Sequence, residues 1–571
     1  MLNSDFQTNQ MGPKHSVLEL GEPMSCENPQ LICSNFHNGD RKARGLLQLA
    51  VAADDESLIK NLLRLESSSN DMRLNGLNPL QMAIKFGSEN TLQMLLDHGF
   101  EVDIKDMNGR TLLHLIACLN YRDNSLMTRM AKSILKKADN VKILLNQYAH
   151  SGDTALHYAV IFDNDELVKL FLMYGANIHT KNTNEKTSLF LATEFNRVKI
   201  LKSLLLYGAR VNDRMSNGQT SLHIAIKNRA IKCIELLLNH GTEVNAKDVY
   251  GETPLHLTVR LNYLDEKTMI SVVRLLLNKG ANVDAHTSSG ETAFQCAIAN
   301  GNEKLVNLFL EFGANVNVRN LDGKSPLHFA IQYSNQTIVN LLLDKGAAID
   351  ELTNDGKRAL HVAVAVEDEN MVRILLDREA DVNAIDKSGK TPLSLAFEVA
   401  HMRSIYNPWN GFWPNPIEAR CDNNIFRLLI KYIARLTNVC EENLRMISCD
   451  EKLKEFYEDC LKELTVMREC KLCDNVSLYR VLTGHIDLLV NYARNENLVT
   501  IFEVDLCAHM FPIYYQILKD RFCKAESKRR LLDLALINFS SLIRPFTMPN
   551  LALNKIFSFL STEDLVNVIT A

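Results

Sequence analysis

Six histidines recur in one short motif, in which Thr, Ser or Arg is followed by any residue, then Leu and His. Histidine is the side chain most often used to bind a metal or to exchange a proton near neutral pH. The motif histidines are His114, His157, His223, His256, His328 and His361. Equivalent positions of packed helices stand ~8–10 Å apart, whereas zinc holds its nitrogen ligands at ~2.0–2.1 Å. We therefore predict no metal site here, and expect each ring to bridge backbone groups of a neighbouring turn.

Two Gly-Lys sequences end like a phosphate-binding loop: DGKS at residues 322–325 and SGKT at residues 388–391. The complete loop needs a further Gly five residues before the Gly of the pair. Those positions hold Val318 and Ala384. Both sequences are therefore interpreted as turns, and no nucleotide is expected to bind them.

Cys470 and Cys473 form a lone C-x-x-C pair. A structural zinc site needs four ligands, and the spacing of the other cysteines supplies no second pair. Metal or redox chemistry remains a minor alternative to thiols carried on a helix. No signature of a hydrolase, a zinc protease or a dinucleotide enzyme occurs. The sequence predicts a protein without catalytic residues, metal or cofactor.

Composition excludes several classes of protein. The chain has 571 residues, too many for one core, with 46% hydrophobic and 23% charged residues and a net charge of -5. This balance lacks the basic footprint of a nucleic-acid-binding protein. No apolar run approaches the ~18 residues of a membrane span, and the first residues do not resemble a signal peptide. Thirteen cysteines without a framework spacing indicate reduced thiols, hence a cytoplasmic location, or one shared with the nucleus.

The histidine motif belongs to an internal repeat. Its fourth position can be followed through eleven copies, and eight of the ten steps between copies are 33 residues, while two are 43 and 39. The eleven positions are Gln48, Gln81, His114, His157, Phe190, His223, His256, Gln295, His328, His361 and Ser394. A 33-residue period with this motif resembles the ankyrin repeat. The resemblance implies an all-α solenoid of about 11 repeats over residues 45–437, with insertions near 119–129, 261–268 and 401–423.

The chemistry of each copy supports this interpretation. Thr or Ser can cap a helix that begins with the next residue, and Pro, as in Pro254, suits its first position. A second apolar helix closes on Gly, as at Gly241, where a left-handed conformation is needed. A polar turn with a further Gly follows. One such unit cannot bury its apolar faces alone, so neighbours must stack.

The insertions differ in character. Those near 119–129 and 261–268 share the sequence LNY, and predict a longer first helix or a longer loop between the two helices. The insertion at 401–423 contains both tryptophans, Trp409 and Trp413. It is either a hot spot for a partner or a cap over the end of the repeats, and the sequence leaves both open.

Beyond the repeats we expect a flexible segment at 1–44, a helical C-terminal domain at 438–547, and a final motif at 548–571. The motif is amphipathic, with Leu553, Ile556, Phe557 and Leu560 on one helical stripe. The alternative is a helix packed on its own domain. The spacing of residues in this final motif resembles the F-box motif. The matching residues are Pro549, Leu553, Ile556, Phe557, Leu560, Asp564 and Leu565.

Ankyrin repeats, a helical domain and a short terminal F-box-like motif together resemble the PRANC family of poxvirus, parasitoid-wasp and symbiont ankyrin proteins. This resemblance implies a substrate adaptor, in which the terminal motif binds a Skp-type adaptor and cullin of a RING ubiquitin ligase. The rival interpretation is a stoichiometric scaffold or inhibitor that recruits no ligase. In either case the target should lie on the concave repeat face, where the predicted contacts are Tyr250, Arg260, Tyr263, Trp409 and Trp413.

Overall fold

The structure is a computed structural model in which two compact units divide the chain, residues 1–249 and 250–571. It describes residues 47, 49–65, 78–119, 124–261, 265–406, 424–473, 476–483, 489–490, 508 and 511–542. Each unit is described by itself. The predicted positions Gln48, Tyr263, Trp409 and Trp413, and all of 548–571, lie outside the described residues.

Pairs of short helices form most of both units, which confirms the all-α prediction. After a helical stretch at 49–52, the helices of the first unit are α1 Glu56–Leu65, α2 Pro79–Phe86, α3 Glu89–Asp97, α4 Leu112–Cys118, α5 Asn124–Lys137, α6 Val141–Leu145, α7 Ala155–Ile161, α8 Asp165–Met173, α9 Ser188–Glu194, α10 Val198–Leu206, α11 Ser221–Lys227 and α12 Ile231–Asn239. The repeat helices of the second unit are α13 Pro254–Arg260, α14 Glu266–Asn278, α15 Ala293–Ala299, α16 Glu303–Glu311, α17 Pro326–Gln332, α18 Gln336–Asp344, α19 Ala359–Ala365, α20 Glu369–Asp377, α21 Pro392–Tyr406 and α22 Asn424–Ala434.

The motif histidine fastens the start of its own helix to the next repeat. In α4, the Thr111 backbone N–H donates to His114 Nδ1 at 3.1 Å. Because Nδ1 accepts, the ring proton is on Nε2, which donates to the Asp153 carbonyl at 3.0 Å. His256 and His361 make the equivalent bonds to the next repeat, at 3.2 and 3.1 Å. The predicted bridging role is confirmed for these three rings.

Glutamine can replace the histidine because it offers the same two functions. In α15, Gln295 Oε1 accepts the Thr292 N–H at 3.0 Å, and its Nε2 donates to the Lys324 carbonyl at 3.1 Å. The side chain is fully buried, as are the histidines. An acceptor and a donor at the two ends of a planar group are therefore what the position requires.

The turns between repeats bond to one another edge to edge. In the second unit, Ser288 N–H donates to the Tyr250 carbonyl at 2.9 Å, and Leu321 N–H donates to the Ser289 carbonyl at 3.1 Å. Gly290 lies between these bonds with φ +76°, and a Cβ there would approach Leu321 N to 2.6 Å. Glycine is needed at this turn both for its φ and for the close approach of two backbones.

The two related insertions lengthen the second helix of their repeats. The first helices α4 and α13 keep seven residues, whereas α5 and α14 have 14 and 13, against nine in α8. The prediction of a longer first helix is wrong, because the added turn belongs to the second helix. The rest of each insertion lies in the connection, part of which falls outside the described residues.

The repeat register continues past residue 437. Asn317 Oδ1 accepts the Ala348 N–H of the next repeat at 2.8 Å, and its Nδ2 donates to the Gly346 carbonyl. Asn383 repeats this pattern on Cys440 N–H at 3.3 Å and the Asn438 carbonyl at 2.8 Å. The helices α23 Glu441–Ser448 and α24 Glu451–Glu469 follow, in the place of another helix pair. They pack against α21 and α22.

Asn443 on α23 covers the open side of the last repeat. It is fully buried and accepts the Thr391 hydroxyl at 2.6 Å. Its amide donates to Asn383 Oδ1 at 2.9 Å. This buried, bonded contact covers the last repeat with the helix pair that stands in the place of a further repeat.

A short hairpin and a long helix complete the described C-terminal region. The hairpin pairs β1 Lys471–Cys473 with β2 Val476–Ser477, and is followed by α25 Leu478–Thr483 and α26 Tyr515–Leu542. Cys470 directly follows α24 and Cys473 lies in β1, so the prediction that both thiols belong to a helix is wrong. No helix within the described ranges is long and apolar enough to cross a membrane.

Helix α26 is held on the repeats by three side chains. The Glu463 carboxylate accepts the backbone N–H groups of Ile513 and Tyr514 just before the helix, at 3.2 and 3.1 Å. The Tyr514 hydroxyl donates to the Lys431 carbonyl at 2.9 Å, and Lys524 pairs with Asp377 of α20 at 3.2 Å. The C-terminal helices therefore pack directly on the last repeats.

Substituting two glycines separates backbone strain from steric contact. Gly280 and Gly290 both have positive φ, but a Cβ at Gly280 would meet no atom within 4 Å. Gly280→Ala should lower the free energy of unfolding by only ~1 kcal/mol, because Ala disfavours the left-handed backbone conformation. Gly290→Ala should lose a further ~1–3 kcal/mol because it must push the next turn away. Urea unfolding would measure both, and equal losses would contradict the close approach.

The buried histidines predict loss of stability in acid. Burial lowers the pKa of His114 to about 4 from 6.5. Between these values the unfolded chain binds more protons than the folded chain, so stability falls as the pH drops from ~6.5 to ~4. Between pH 7 and pH 5, His114 should cost the native protein roughly 2 kcal/mol of its free energy of unfolding. The His114→Gln variant should not show this loss.

The reverse variant supplies the control for this measurement. Gln295→His would place another ring in an equivalent buried site, and should increase the loss of stability between pH 7 and pH 5. Unfolding of all three proteins at both pH values tests the argument. Identical pH profiles would show that these rings do not govern acid stability.

Candidate protein-binding surface

The surface formed by the turns and the ends of the first helices carries two of the predicted contacts, Tyr250 and Arg260. Tyr250 lies at the tip of its turn and is 65% exposed. Its carbonyl accepts both the backbone N–H and the hydroxyl of Ser288, at 2.9 and 2.6 Å. The backbone is thereby fixed while the aromatic ring projects into solvent, which suits an anchor for a partner.

Arg260 is the last residue of α13 and pairs with Glu252, which lies eight residues earlier. The Arg260 side chain is 60% exposed, whereas that of Glu252 is 3% exposed. The buried Glu252 carboxylate therefore binds the guanidinium on its protein-facing side, and the solvent-facing side of the guanidinium stays accessible. Arg260 has a structural role in addition to its predicted binding role.

The same connection recurs in other repeats. In these repeats the residue before the helix cap bonds to a side chain at the end of the same first helix. Lys186 Nζ donates to the Glu194 carboxylate at 2.7 Å. Lys324 donates to the Gln332 side chain at 3.1 Å, and Lys390 donates to the Glu398 carboxylate. At residues 252 and 260 the charges are reversed. This reversal places an exposed arginine where these three copies have Glu or Gln.

Burial also makes a nearby thiol unreactive. Cys296 of α15 has its pKa raised to about 12, first by burial and then by the carboxylate of Glu291. A thiol with such a pKa carries almost no thiolate near neutral pH and is a poor nucleophile. This part of the surface therefore offers contacts rather than covalent chemistry.

Two exposed side chains were missed in the sequence. Leu321 at a turn tip is 67% exposed, and Tyr333 after α17 is 50% exposed. The signal for Leu321 lies in the sequence NLDG, which has an apolar residue where the turns TNDG and DKSG have Asn and Lys. Tyr263, Trp409 and Trp413 lie outside the described residues.

The other motifs occupy structural positions. Gly323 and Gly389 of the two Gly-Lys sequences are turn glycines with positive φ, and the lysines that follow them bond to Gln332 and Glu398. Over the part of the chain that the structure describes, no three His, Cys, Asp or Glu side chains converge as metal ligands would. Pro549 to Leu565 cannot be located, since this stretch is outside the described ranges.

Comparison with known proteins agrees with the geometry of the repeats. The family "Ankyrin repeats (3 copies)" matches residues 47–127, 126–215, 189–266, 266–352 and 346–404. An ankyrin repeat protein of fowlpox virus is 30% identical over 167 residues, which are 25% of this chain and 89% of the viral protein.

Two much longer animal proteins also match. Human transient receptor potential cation channel subfamily A member 1 is 29% identical over 149 residues, 25% of this chain and 12% of the channel. Mouse neurogenic locus notch homolog protein 1 is 31% identical over 182 residues, 30% of this chain and 7% of that protein. The matched part thus spans only a small fraction of either relative.

Variants at residues 250, 252 and 260 should separate structure from binding. Tyr250→Ala should leave stability nearly unchanged because the ring is exposed. Arg260→Ala should lose about 1–3 kcal/mol, since it removes a charged partner from the buried Glu252 carboxylate. The double variant Glu252→Gln with Arg260→Ala should lose less than the single one, as no buried charge is then left. Thermal unfolding measures all three, and a larger loss for Tyr250→Ala than for Arg260→Ala would contradict this division.

Proposed function

The chain belongs to the ankyrin-repeat family, and from this premise we propose that it is a substrate adaptor of a Skp–cullin–RING ubiquitin ligase. Ankyrin repeats indicate a protein that acts by binding other proteins. The finer proposal assigns the target to the repeats and the ligase to residues 548–571. The adaptor itself performs no catalysis, and it works in the cytoplasm or in both cytoplasm and nucleus.

The proposal depends on the spacing of the terminal motif. Pro549, the stripe from Leu553 to Leu560, and the Asp564–Leu565 pair follow one another as in an F-box. Laid into a groove as a helix, the stripe would bury four apolar side chains. Each is worth ~1.5–3 kcal/mol before the cost of association. A poxvirus ankyrin protein is among the relatives of this chain, as the PRANC resemblance implies.

The target is assigned to the surface that carries Tyr250 and Arg260. Arginine and aromatic side chains dominate the energetics of most protein interfaces, and both residues are exposed on a fixed backbone. Tyr263 is proposed to join them. Turn tips and first-helix ends can vary between repeats without affecting stacking, so this surface can be adapted to one target.

Trp409 and Trp413 are proposed to contact the target rather than to cap the repeats. The supporting observation is that α23 already covers the last repeat, through the buried bonds of Asn443 to Thr391 and Asn383. A second cover is not needed at that side. A long insertion in a repeat is also a common place for binding residues.

Two changes on the apolar stripe should abolish recruitment of the ligase. Ile556→Asp with Phe557→Asp would bury unpaired charge in any groove that binds the helix. We expect the intact chain to co-purify with a Skp-type adaptor and cullin, and the double variant to lose both. Binding of the target through the repeats should persist, because contacts in repeat arrays are local.

The chain offers a matched control on the same segment. Asn554→Asp with Ser558→Asp adds equal charge at polar positions off the stripe, and should leave recruitment intact. If the intact chain brings down neither adaptor nor cullin, the protein is a scaffold or inhibitor that holds its target alone. The same conclusion follows if the Ile556 and Phe557 variant still binds both.

A further inference from the structure

The second helices of two adjacent repeats end in exposed apolar side chains. Met173 at the end of α8 is 71% exposed, and Leu206 at the end of α10 is 72% exposed. Both occupy the position two residues before the residue that closes the helix. In six other second helices that position is polar, and its occupants are Asp97, Asn239, Asn278, Glu311, Asp344 and Asp377. Stacking of repeats therefore does not require an apolar residue there.

These side chains belong to one surface, the outer patch, formed by Ile143, Met173, Leu206 and Tyr207. The helices α8 and α10 are adjacent, because the Ser203 hydroxyl donates to the Asp165 carboxylate at 2.8 Å. The side chain of Lys142 lies 3.6 Å from where a Cβ of Gly175 would be, which places α6 beside the end of α8. Ile143 and Tyr207 are 61% and 46% exposed. Exposed apolar groups at the ends of helices on three adjacent repeats are typical of a docking surface.

Basic side chains surround the outer patch. Lys142 precedes Ile143, Lys202 lies one helical turn before Leu206, and Lys199 and Arg210 are exposed on the same repeat. Asp165, the acidic group between α8 and α10, is already engaged by Lys169 at 2.6 Å. An occupant with apolar side chains and negative charge is therefore favoured.

The chain itself contains a segment with this chemistry, residues 17–36. It carries Glu19, Glu22 and Glu27 among apolar residues such as Leu18 and Leu20, and no Lys or Arg occurs between residues 14 and 41. We propose that this acidic, apolar segment docks on the outer patch of the same chain. The inference is independent of ligase recruitment, since it concerns a different surface.

The length of the connection permits this arrangement. The described structure begins at residue 47 in the first repeat, and the outer patch lies on the third to fifth repeats. At ~8–10 Å between equivalent helices, that separation is roughly 20–40 Å. Residues 37–46 can extend over about 33–36 Å, and the segment adds further reach. Docking within one chain is therefore sterically possible. The short connection also gives the segment a high effective concentration at the outer patch.

A photo-cross-linker at the outer patch tests the proposal in the intact chain. With p-benzoylphenylalanine in place of Met173, irradiation should join that position to peptides from residues 17–36 of the same chain, as mass spectrometry can identify. The matched control has the cross-linker at Asn239, the equivalent position of a repeat without the patch, and should give no such product. Added salt should reduce the yield, because the attraction is partly electrostatic.

Variants on both sides complete the experiment. Leu18→Asp with Leu20→Asp should reduce the product about tenfold, as should Leu206→Asn, which installs the residue type found at Asn239. Leu206→Asn should leave the melting temperature unchanged, because the side chain is exposed. Cross-links only to a second copy, only to unrelated positions, or to none would overturn the proposal. An unchanged yield in the Leu18 and Leu20 variant would also overturn it.

Discussion

A buried hydrogen-bonded bridge between repeats, made by His114, His256, Gln295 and His361, constrains the geometry of the turns around it. His114 accepts the N–H of its own helix cap and donates to the carbonyl of Asp153 in the next turn. Loss of either hydrogen bond would leave an unpaired polar group buried, which lowers stability. The bridge therefore sets the distance between a first helix and the next turn. That distance brings the turn backbones close enough to bond directly, which in turn demands glycine at Gly290.

Once the bridge and the turns are fixed, other positions are released for function. The ring of Tyr250 can project because its carbonyl is held by Ser288. Arg260 can be presented outward because Glu252 holds it from a buried position. A stable scaffold with variable tips is the arrangement that permits one fold to bind many proteins. The same separation explains why a surface can be adapted without loss of stacking.

The sequence predicted the local elements well, since each depends on near neighbours. Caps such as Thr111, the closing glycines and the 33-residue period are signals that lie within one repeat. The C-terminal boundary was less predictable, because Asn383 meets Cys440 across an insertion of about two dozen residues. Of the binding surface, Tyr250 and Arg260 could be placed on turns and helix ends. The pairing of Arg260 with Glu252 depends on burial, which periodicity does not report. Neither the β1–β2 hairpin nor the cover formed by Asn443 has a counterpart in the repeat pattern.

Departures from the repeat pattern fall into two physical classes. Glu185 and Glu379 occupy left-handed positions, with φ 58° and 67°, that other copies give to glycine. Glu185 offsets part of this cost, because its carboxylate accepts the Ser216 N–H of the next turn at 2.6 Å. Met173 and Leu206 are different, because a largely exposed apolar side chain stands where several other repeats have a polar one. A departure that is compensated locally belongs to the fold. A departure that places apolar surface in water on adjacent repeats is stabilising only when something else covers it, which is the basis of the docking proposed for the outer patch.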